Sequence, residues 1–444
     1  MKTMSIPLKL AYALGGIALN VANLTISQWL LKLYVPNRTA ALVSSGLFVT
    51  AFFIGRLLDG VMDPLVGYWS DNSRFRWGRR LPFIAAALVP VALVSLFIWT
   101  PPFGPEAPLI NGIYVFVMIQ LFFIFWTILA NPYMALLPEL TPDIAERINI
   151  STMQAFFLMV GIILFSLSGP LIEVYGYTGL GVAVGGITII SFLPTLLFIR
   201  ENPERRKTRF ESRTPARMFT RLSTTFRNRP FRYLLAATGL FWFSLNVVTL
   251  MVPFWTEHAL GRSEGDVFLV MAPFIGANII FFFIFNVFSK KAGKYPAFLV
   301  TLLGSAAAMF LFVSQGTALW GGISPLLQAQ ISMAVIGAFV SGFLMLPMAL
   351  LADVIDHDAE YSGEWREGQY YGMQSIFQKT AIGLSIAAGS VLMYVGGAGE
   401  EPTVTGLRLL VAAAGAAALV AALLFMRYPL RDRAEKSQNV SAVG

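Results

Sequence analysis

Cysteine is absent from the chain, which excludes disulfides, thiolate nucleophiles and cysteine-based metal sites. Histidine is nearly absent: His258 and His357 are the only two, both near loops, and neither has metal-ligand spacing. A catalytic constellation has little raw material here, and no catalytic residue is assigned. Charge is scarce as well. Charged residues make up 13% of the chain, against about a quarter in a soluble domain. Glycines are plentiful, yet GYTGLGVAVGG fits neither a phosphate-cradling loop nor a dinucleotide fingerprint. No cofactor is expected, and uphill work would draw on an ion gradient.

What fills the chain instead is apolar: 56% of residues are hydrophobic and the mean hydropathy is +0.68. That composition predicts an all-α membrane protein with twelve transmembrane helices of roughly 20 residues each. Their expected positions are 8–31, 42–71, 82–99, 110–137, 150–172, 178–199, 231–256, 266–289, 295–314, 323–352, 370–396 and 405–426. A polar, basic stretch at 200–230 separates a first six-helix bundle (1–199) from a second (231–427), with a tail at 428–444. Residues 1–31 carry no small-residue cleavage site and read as a retained first helix.

The net charge of +8 is unevenly placed. Arg74, Arg76, Arg79 and Arg80 follow the second span, and eleven basic residues run from Arg200 to Arg232. Lys290, Lys291 and Lys294 follow the eighth span, and four more basic residues follow the twelfth. The opposite loops carry Lys32, Arg38, Arg262 and little else. This asymmetry puts both termini in the cytoplasm, in a plasma membrane or a bacterial inner membrane. The basic residues orient helices and touch anionic lipid; a nucleic-acid partner is not expected, and the protein is expected as a monomer.

Three ionisable residues break the apolar background of the second span. Arg56, Asp59 and Asp63 lie within ALVSSGLFVTAFFIGRLLDGVMDPLVGYW, where each charge at bilayer depth costs roughly 2.5–3.5 kcal/mol on insertion scales. Asp59 and Asp63 are four apart, so they share a helix face about 6 Å from each other along the axis. Such a pair can hold a cation between them or bind a proton. Arg56, one turn earlier, can keep them ionised, and Pro64 frees the carbonyl of Gly60 as an oxygen ligand. An ion-pair cluster that only locks the helices is the alternative reading. Lys379 lies about ten residues into the eleventh span, beside Tyr371, Gln374, Ser375 and Gln378. A lysine there must pair, snorkel or titrate, and the aspartate pair is its expected counter-charge.

Polar stripes at helical spacing mark other spans: Tyr12, Gly16, Asn20, Asn23 and Ser27 in the first, Gln120, Thr127 and Asn131 in the fourth, Trp242, Asn246 and Thr249 in the seventh. Beside Trp126, Trp242 and Tyr133 they would suit a polyhydroxylated ligand; helix–helix hydrogen bonding is the competing reading. The segment ADVIDHDAEYSGEWREG is expected as an acidic loop after the tenth span. Its Asp353 and Asp356 would latch onto the arginines after the second span, or simply face solvent. Glu139, Asp143, Glu146 and Arg147 after the fourth span admit the same two readings.

Several of these segments together resemble the glycoside–pentoside–hexuronide:cation symporters, the melibiose-permease family of the major facilitator superfamily. The matching pieces are Gly55-Arg56-x-x-Asp59-x-x-x-Asp63-Pro64-x-x-Gly67, Ser70-Asp71, Arg76-Trp77-Gly78-Arg79-Arg80 and Pro132-Tyr133-x-Ala135-Leu136-x-Pro138-Glu139-Leu140-Thr141-Pro142-Asp143. Asp353-x-x-Asp356 and Gly368-x-x-x-Gly372-x-Gln374-Ser375, leading to Lys379, complete the set over both halves. The resemblance implies the major facilitator fold, with a solute site at mid-membrane between the halves. It implies that Asp59 and Asp63 bind the coupling cation and that Lys379 tracks their occupancy. Cation binding is then expected to release Lys379 and Arg56 from the pair. Asp71, Arg76, Arg79, Arg80, Glu139, Arg147, Asp353 and Asp356 become candidate gating residues.

The departures shape the expectation. The family's helix-1 aspartate corresponds to Asn20, its helix-4 aspartate to Ala130 or Asn131, and its helix-5 arginine to Gln154 or Ala155. Charged sugar-binding groups are therefore missing while the cation pair remains, which keeps H+ beside Na+ as coupling ion; no other metal is expected. The function implied is cation-coupled symport of a sugar, glycoside or similar small polar solute by alternating access. A lysolipid transporter of the same fold and a non-transporting membrane sensor are the alternatives. Tyr12, Asn20, Asn23, Trp126, Asn131, Tyr133, Gln154, Trp242, Asn246, Tyr371, Gln374 and Gln378 are the candidate solute contacts.

Overall fold

The backbone in a bilayer must satisfy its own hydrogen bonds, and helices do so within one segment. In the computed structural model, which describes residues 4–36, 41–73, 75–141, 143–201, 225–362, 367–397 and 401–430, apolar helices accordingly dominate. The chain divides into two compact units, Met1–Arg217 and Met218–Gly444. Most of the expected linker and the tail beyond 430 lie outside the described residues.

The first unit holds α1 (Ile6–Ala13), α2 (Gly15–Tyr34), α3 (Ser45–Asn72), α4 (Leu81–Phe97), α5 (Pro108–Leu140), α6 (Ile144–Ser166) and α7 (Ser168–Phe198). The second holds α8 (Arg229–His258), α9 (Val267–Ala292), α10 (Lys294–Val313), α11 (Pro325–Phe343), α12 (Leu346–Ser362), α13 (Glu367–Leu392) and α14 (Val404–Phe425). Local chemistry sets several starts. Ser44 accepts from the Leu47 amide at 3.4 Å, Thr403 accepts from the Gly406 amide at 2.8 Å, and Pro108 occupies a first turn where no amide is needed. Among the described residues, eleven helical segments are long and apolar enough to cross a membrane, and the shorter apolar α4 takes the place of the third expected span. The chain is thus a multi-pass membrane protein. In the first unit α3 packs on α5, α4 on α5 and α7, and α2 on α6 and α7.

The first expected span runs as one segment of 29 residues from Ile6 to Tyr34, with Leu14 at helical angles. Two details of the other expected spans depart from the sequence expectation. The tenth breaks at Leu344–Met345, because Pro347 cannot donate to the carbonyl of Phe343 and its ring would strike it. Beyond the break the acidic segment is helical as far as Ser362, its residues 363–366 lying outside the described residues, and the buried Leu350, Leu351, Val354 and Ile355 of α12 form one apolar stripe. Asp353 and Asp356 are therefore helical residues. Between the fifth and sixth expected spans the reversal falls at Gly176, whose φ of +68° lies outside the helical region, whereas Leu167 at −80° and 0° keeps helical angles.

Candidate functional site

The charged residues of the second span fall on α3, a helix of 28 residues that runs unbroken through Pro64. Glycine at position 55 is what lets α5 come close: a Cβ there would sit 2.6 Å from Ile119 and 2.8 Å from Phe123. Across that contact the two helices are matched turn for turn. Thr127 Oγ1 donates to Asp59 Oδ1 at 2.6 Å. One turn on, Asn131 Nδ2 donates to Asp63 Oδ1 at 2.9 Å. Each member of the i, i+4 aspartate pair thus meets a member of an i, i+4 pair on α5. Asp59 is 2% exposed, while Asp63 is half-buried.

Arg56 is 3% exposed and lies 3.7 Å from Asp59 Oδ2. It is held on three sides. Its Nη2 donates to Ser27 Oγ on α2 at 2.9 Å, and its guanidinium lies over the rings of Phe123 (4.5 Å) and Phe52 (5.3 Å). Contacts of this kind are worth about 0.5–2 kcal/mol each when desolvated. Arg56 thus contacts Asp59, Ser27 and two aromatic rings in this structure.

The other candidate solute contacts of the first unit are largely engaged with helix neighbours. Tyr12 and Tyr133 are fully buried, stack at 4.7 Å and bond each other's backbones, the Tyr133 hydroxyl to the Tyr12 carbonyl at 2.6 Å and the Tyr12 hydroxyl to the Tyr133 carbonyl at 3.3 Å. Gln154 Nε2 donates to the Tyr133 hydroxyl at 3.2 Å. Asn20 donates to the Leu158 carbonyl at 2.8 Å and Asn23 to the Leu19 carbonyl at 3.3 Å. Trp126 is buried and stacked on Phe122 at 5.7 Å. Tyr12, Asn20, Tyr133 and Gln154 thus bond between helices, whereas Asn23 and Trp126 contact their own helix.

In the second unit, Asn246 donates to the Trp242 carbonyl at 2.9 Å, and Trp242 meets Phe343 edge-on at 5.2 Å, at the end of α11. On α13, Gln374 is buried, Gln378 and Lys379 are half-buried and Tyr371 is exposed.

Gating candidates gain specific partners. Arg80 pairs with Asp71 at 3.0 Å, and Arg147 Nε donates to the Thr141 carbonyl at 2.8 Å. Asp353 pairs with Lys294 of its own unit at 2.6 Å; with both side chains over a third exposed, that pair contributes at most about 1 kcal/mol. Arg76 and Asp356 are exposed. The Glu139 side chain lies outside the described residues.

Two carboxylates matter more than their sequence context suggests. Glu201, set among basic residues, accepts the amides of Arg79 (2.7 Å), Arg80 (2.8 Å) and Leu81 (2.7 Å) and so caps α4 from 120 positions away. Glu146 accepts from Thr141 Oγ1 at 2.7 Å, from the Met4 amide and from Lys9 at 3.2 Å. The Thr141 hydroxyl, then the Met4 amide and Lys9, hold its carboxyl below the usual carboxylate range. Because the native state favours the ionised form, its contribution is present above the ordinary value of 4.5 and is lost as pH falls through the depressed one. The protection factor of the Met4 amide against hydrogen exchange is accordingly expected to hold at neutral pH and to fall as the Glu146 carboxylate becomes protonated. Unchanged protection in a Glu146→Gln variant would contradict this. No signal in the sequence points to the Glu201 pairing; the polar stripe on the fourth span did flag Thr127.

No cluster of three or more metal-ligating side chains occurs among the described residues. The aspartate pair with the Thr127 hydroxyl offers hard oxygen donors, suited to a proton or an alkali cation as cargo.

Comparison with known proteins gives a consistent picture. A family model described as MFS/sugar transport protein matches residues 11–432. The isoprimeverose transporter of Lactiplantibacillus pentosus is 22% identical, over 88% of this chain and 80% of that protein. The sodium-dependent lysophosphatidylcholine symporter 1 of Gallus gallus is 23% identical, over 99% of this chain and 89% of the other. Among solved structures, a D-xylose-proton symporter superposes with a TM-score of 0.69 at 18% identity, over 95% of this chain and 97% of that one. That likeness shows the fold.

Proposed function

We propose, since the chain belongs to the MFS/sugar transport protein family, that it is a secondary transporter coupling inward flow of a cation to uptake of a sugar, glycoside or similar small polar solute. The observation that carries this reading is the pairing of Asp59 with Thr127 and of Asp63 with Asn131, with Arg56 clamped beside Asp59. Two carboxylates four positions apart at membrane depth are costly, and hard oxygen donors set this close suit a travelling cation as ligand.

The two aspartates then divide the work. Asp59, buried beside Arg56, shapes the site. Asp63, the more accessible of the two, takes up and releases the cation. Thr127 contributes one hydroxyl oxygen while steering Asp59, and Asn131 orients Asp63. Lys379 is assigned as a further charge partner. Solute and cation each favour the same state of an alternating-access cycle, which is what coupling requires. Both termini are assigned to the cytoplasm from the distribution of basic residues.

Thr127→Val keeps the shape and removes the donor to Asp59. A hydrogen bond to a charged group is worth about 1.5–3 kcal/mol, so apparent cation affinity is expected to change about 10–100-fold. The change is downward for Na+, which loses the hydroxyl oxygen, and upward for H+, which no longer competes with the donated bond, with solute binding at saturating cation retained. Uptake into proteoliposomes, measured against Na+ concentration and against pH, reads this and separates the two ions. An unchanged cation dependence would remove Thr127 from the site. Likeness to the lysophosphatidylcholine symporter favours a second reading, a lipid-like solute on the same cation site; the same vesicles loaded with labelled lysolipid distinguish the two.

A further inference from the structure

A groove of about 390 Å³ opens on the first unit between α2, the end of α6 and both limbs of α7, on either side of the Gly176 reversal. Its walls are Leu164, Leu167, Leu171, Val174, Ala183 and Ile187, with Val21 and Val184 at the floor, and almost all of its surface is apolar. Val174 and Tyr175 at its rim are about 70% exposed, and Val182 and Ile190 on the limb of α7 beyond Gly176 are exposed too. The groove is thus continuous with the surface that membrane-spanning helices present to lipid.

Three polar side chains lie in the otherwise apolar lining: Ser168, whose Oγ accepts from Trp29 Nε1 at 2.7 Å, Tyr175 at the rim, and Thr25. Thr25 on α2 lines the groove and is 1% exposed, and its hydroxyl has no hydrogen-bond partner among the described residues. Threonines within helices ordinarily give that hydroxyl to the carbonyl one turn back. Thr188, Thr238, Thr256 and Thr301 all do so, at 2.8–3.0 Å. Thr25 does not. A donor kept off its own helix, in a dry apolar cleft, is matched by an amphipathic molecule carrying one acceptor on a long hydrocarbon tail.

We propose that this groove is a binding site for a membrane glycerophospholipid, one acyl chain lying between α2, α6 and α7 and its ester carbonyl accepting the Thr25 hydroxyl. A free sugar cannot use such a surface, which has no array of donors and acceptors for hydroxyl groups. A charged solute would leave its charge unpaired there. The site is separate from the aspartate pair and does not depend on the symport reading; a bound lipid would brace the α6–α7 reversal.

The test uses the whole protein in lipid nanodiscs containing a phospholipid with a photoactivatable group on its acyl chain, in ester-linked and ether-linked forms. Cross-links mapped by mass spectrometry are expected to concentrate on residues 164–187, several-fold above those on lipid-facing α9, with the ester form preferred. Ala183→Trp, which fills the cleft, should remove that excess, and Thr25→Val should erase the ester preference. Melting temperature in detergent checks that both variants fold, and gradient-driven uptake by Thr25→Val is expected to be unchanged. Labelling no denser at 164–187 than on α9, or undiminished by Ala183→Trp, would overturn the site. Equal labelling by ester and ether lipids in the unmodified protein would overturn the role of Thr25.

Discussion

Asp63→Asn is expected to abolish accumulation of solute against its gradient, while the protein still folds and still exchanges solute down a gradient. The side chains are nearly the same size, and the amide can still pair with Asn131, so helix packing of α3 on α5 survives. What disappears is the negative charge that makes a cation a ligand at all. Coupling free energies are typically 1–3 kcal/mol, or about 5–150-fold in affinity; in this variant, adding Na+ or lowering pH should no longer shift solute affinity. Asp59→Asn acts differently. It leaves Arg56 clamped by Ser27, Phe52 and Phe123 as a buried cation without its carboxylate. Breaking a buried pair from one side costs about 3–5 kcal/mol. Asp59→Asn should therefore lose both coupling and thermal stability, with Asp63→Asn losing coupling alone. Solute and cation binding followed by calorimetry, beside melting curves, separates them. Full uphill uptake by both variants would refute the cation site.

The second large effect is expected at Glu201 and Gly78. Glu201→Ala strips three amides of their acceptor at the start of α4. Hydrogen bonds to a charged acceptor are worth about 1.5–3 kcal/mol each, and partial rehydration brings the loss to the order of 3–5 kcal/mol. Gly78→Ala should cost a similar amount by another route. Its φ is +132°, and a Cβ there would lie 2.3 Å from Glu201 Oε1, so strain and displacement of the carboxylate add together. Melting temperature should drop by several degrees in both, and the double variant should be little worse than either, because one contact is removed once. Additive losses would mean that the two residues act separately. The loop they hold carries Arg79 and Arg80, and Arg80 pairs with Asp71. Slowed transport at unchanged solute affinity is the accompanying expectation for a gate whose parts are misplaced.

How far the sequence reaches depends on the range of the interaction involved. Hydropathy, a property of each segment alone, located the eleven membrane-length segments among the described residues and the shorter apolar α4, because apolar helices in lipid need no partner to satisfy their backbones. It also exposed Arg56, Asp59 and Asp63, since a charge within an apolar run is anomalous whatever lies next to it. Local propensity misjudged α12, where an acidic surface concealed a buried stripe of Leu350, Leu351, Val354 and Ile355.

Tertiary structure decided what each anomalous residue touches. Only the packing of α3 on α5 brought Thr127 to Asp59 and Asn131 to Asp63, and only tertiary packing brought Phe123 and Ser27 to Arg56. The contacts of Tyr12 with Tyr133 and of Glu201 with the Arg79–Leu81 amides join residues more than 100 positions apart. No periodicity encodes such pairings. Hydrophobic transfer is additive along a chain and can be read from composition, whereas hydrogen bonds and ion pairs depend on angles and distances that exist only once the helices have met.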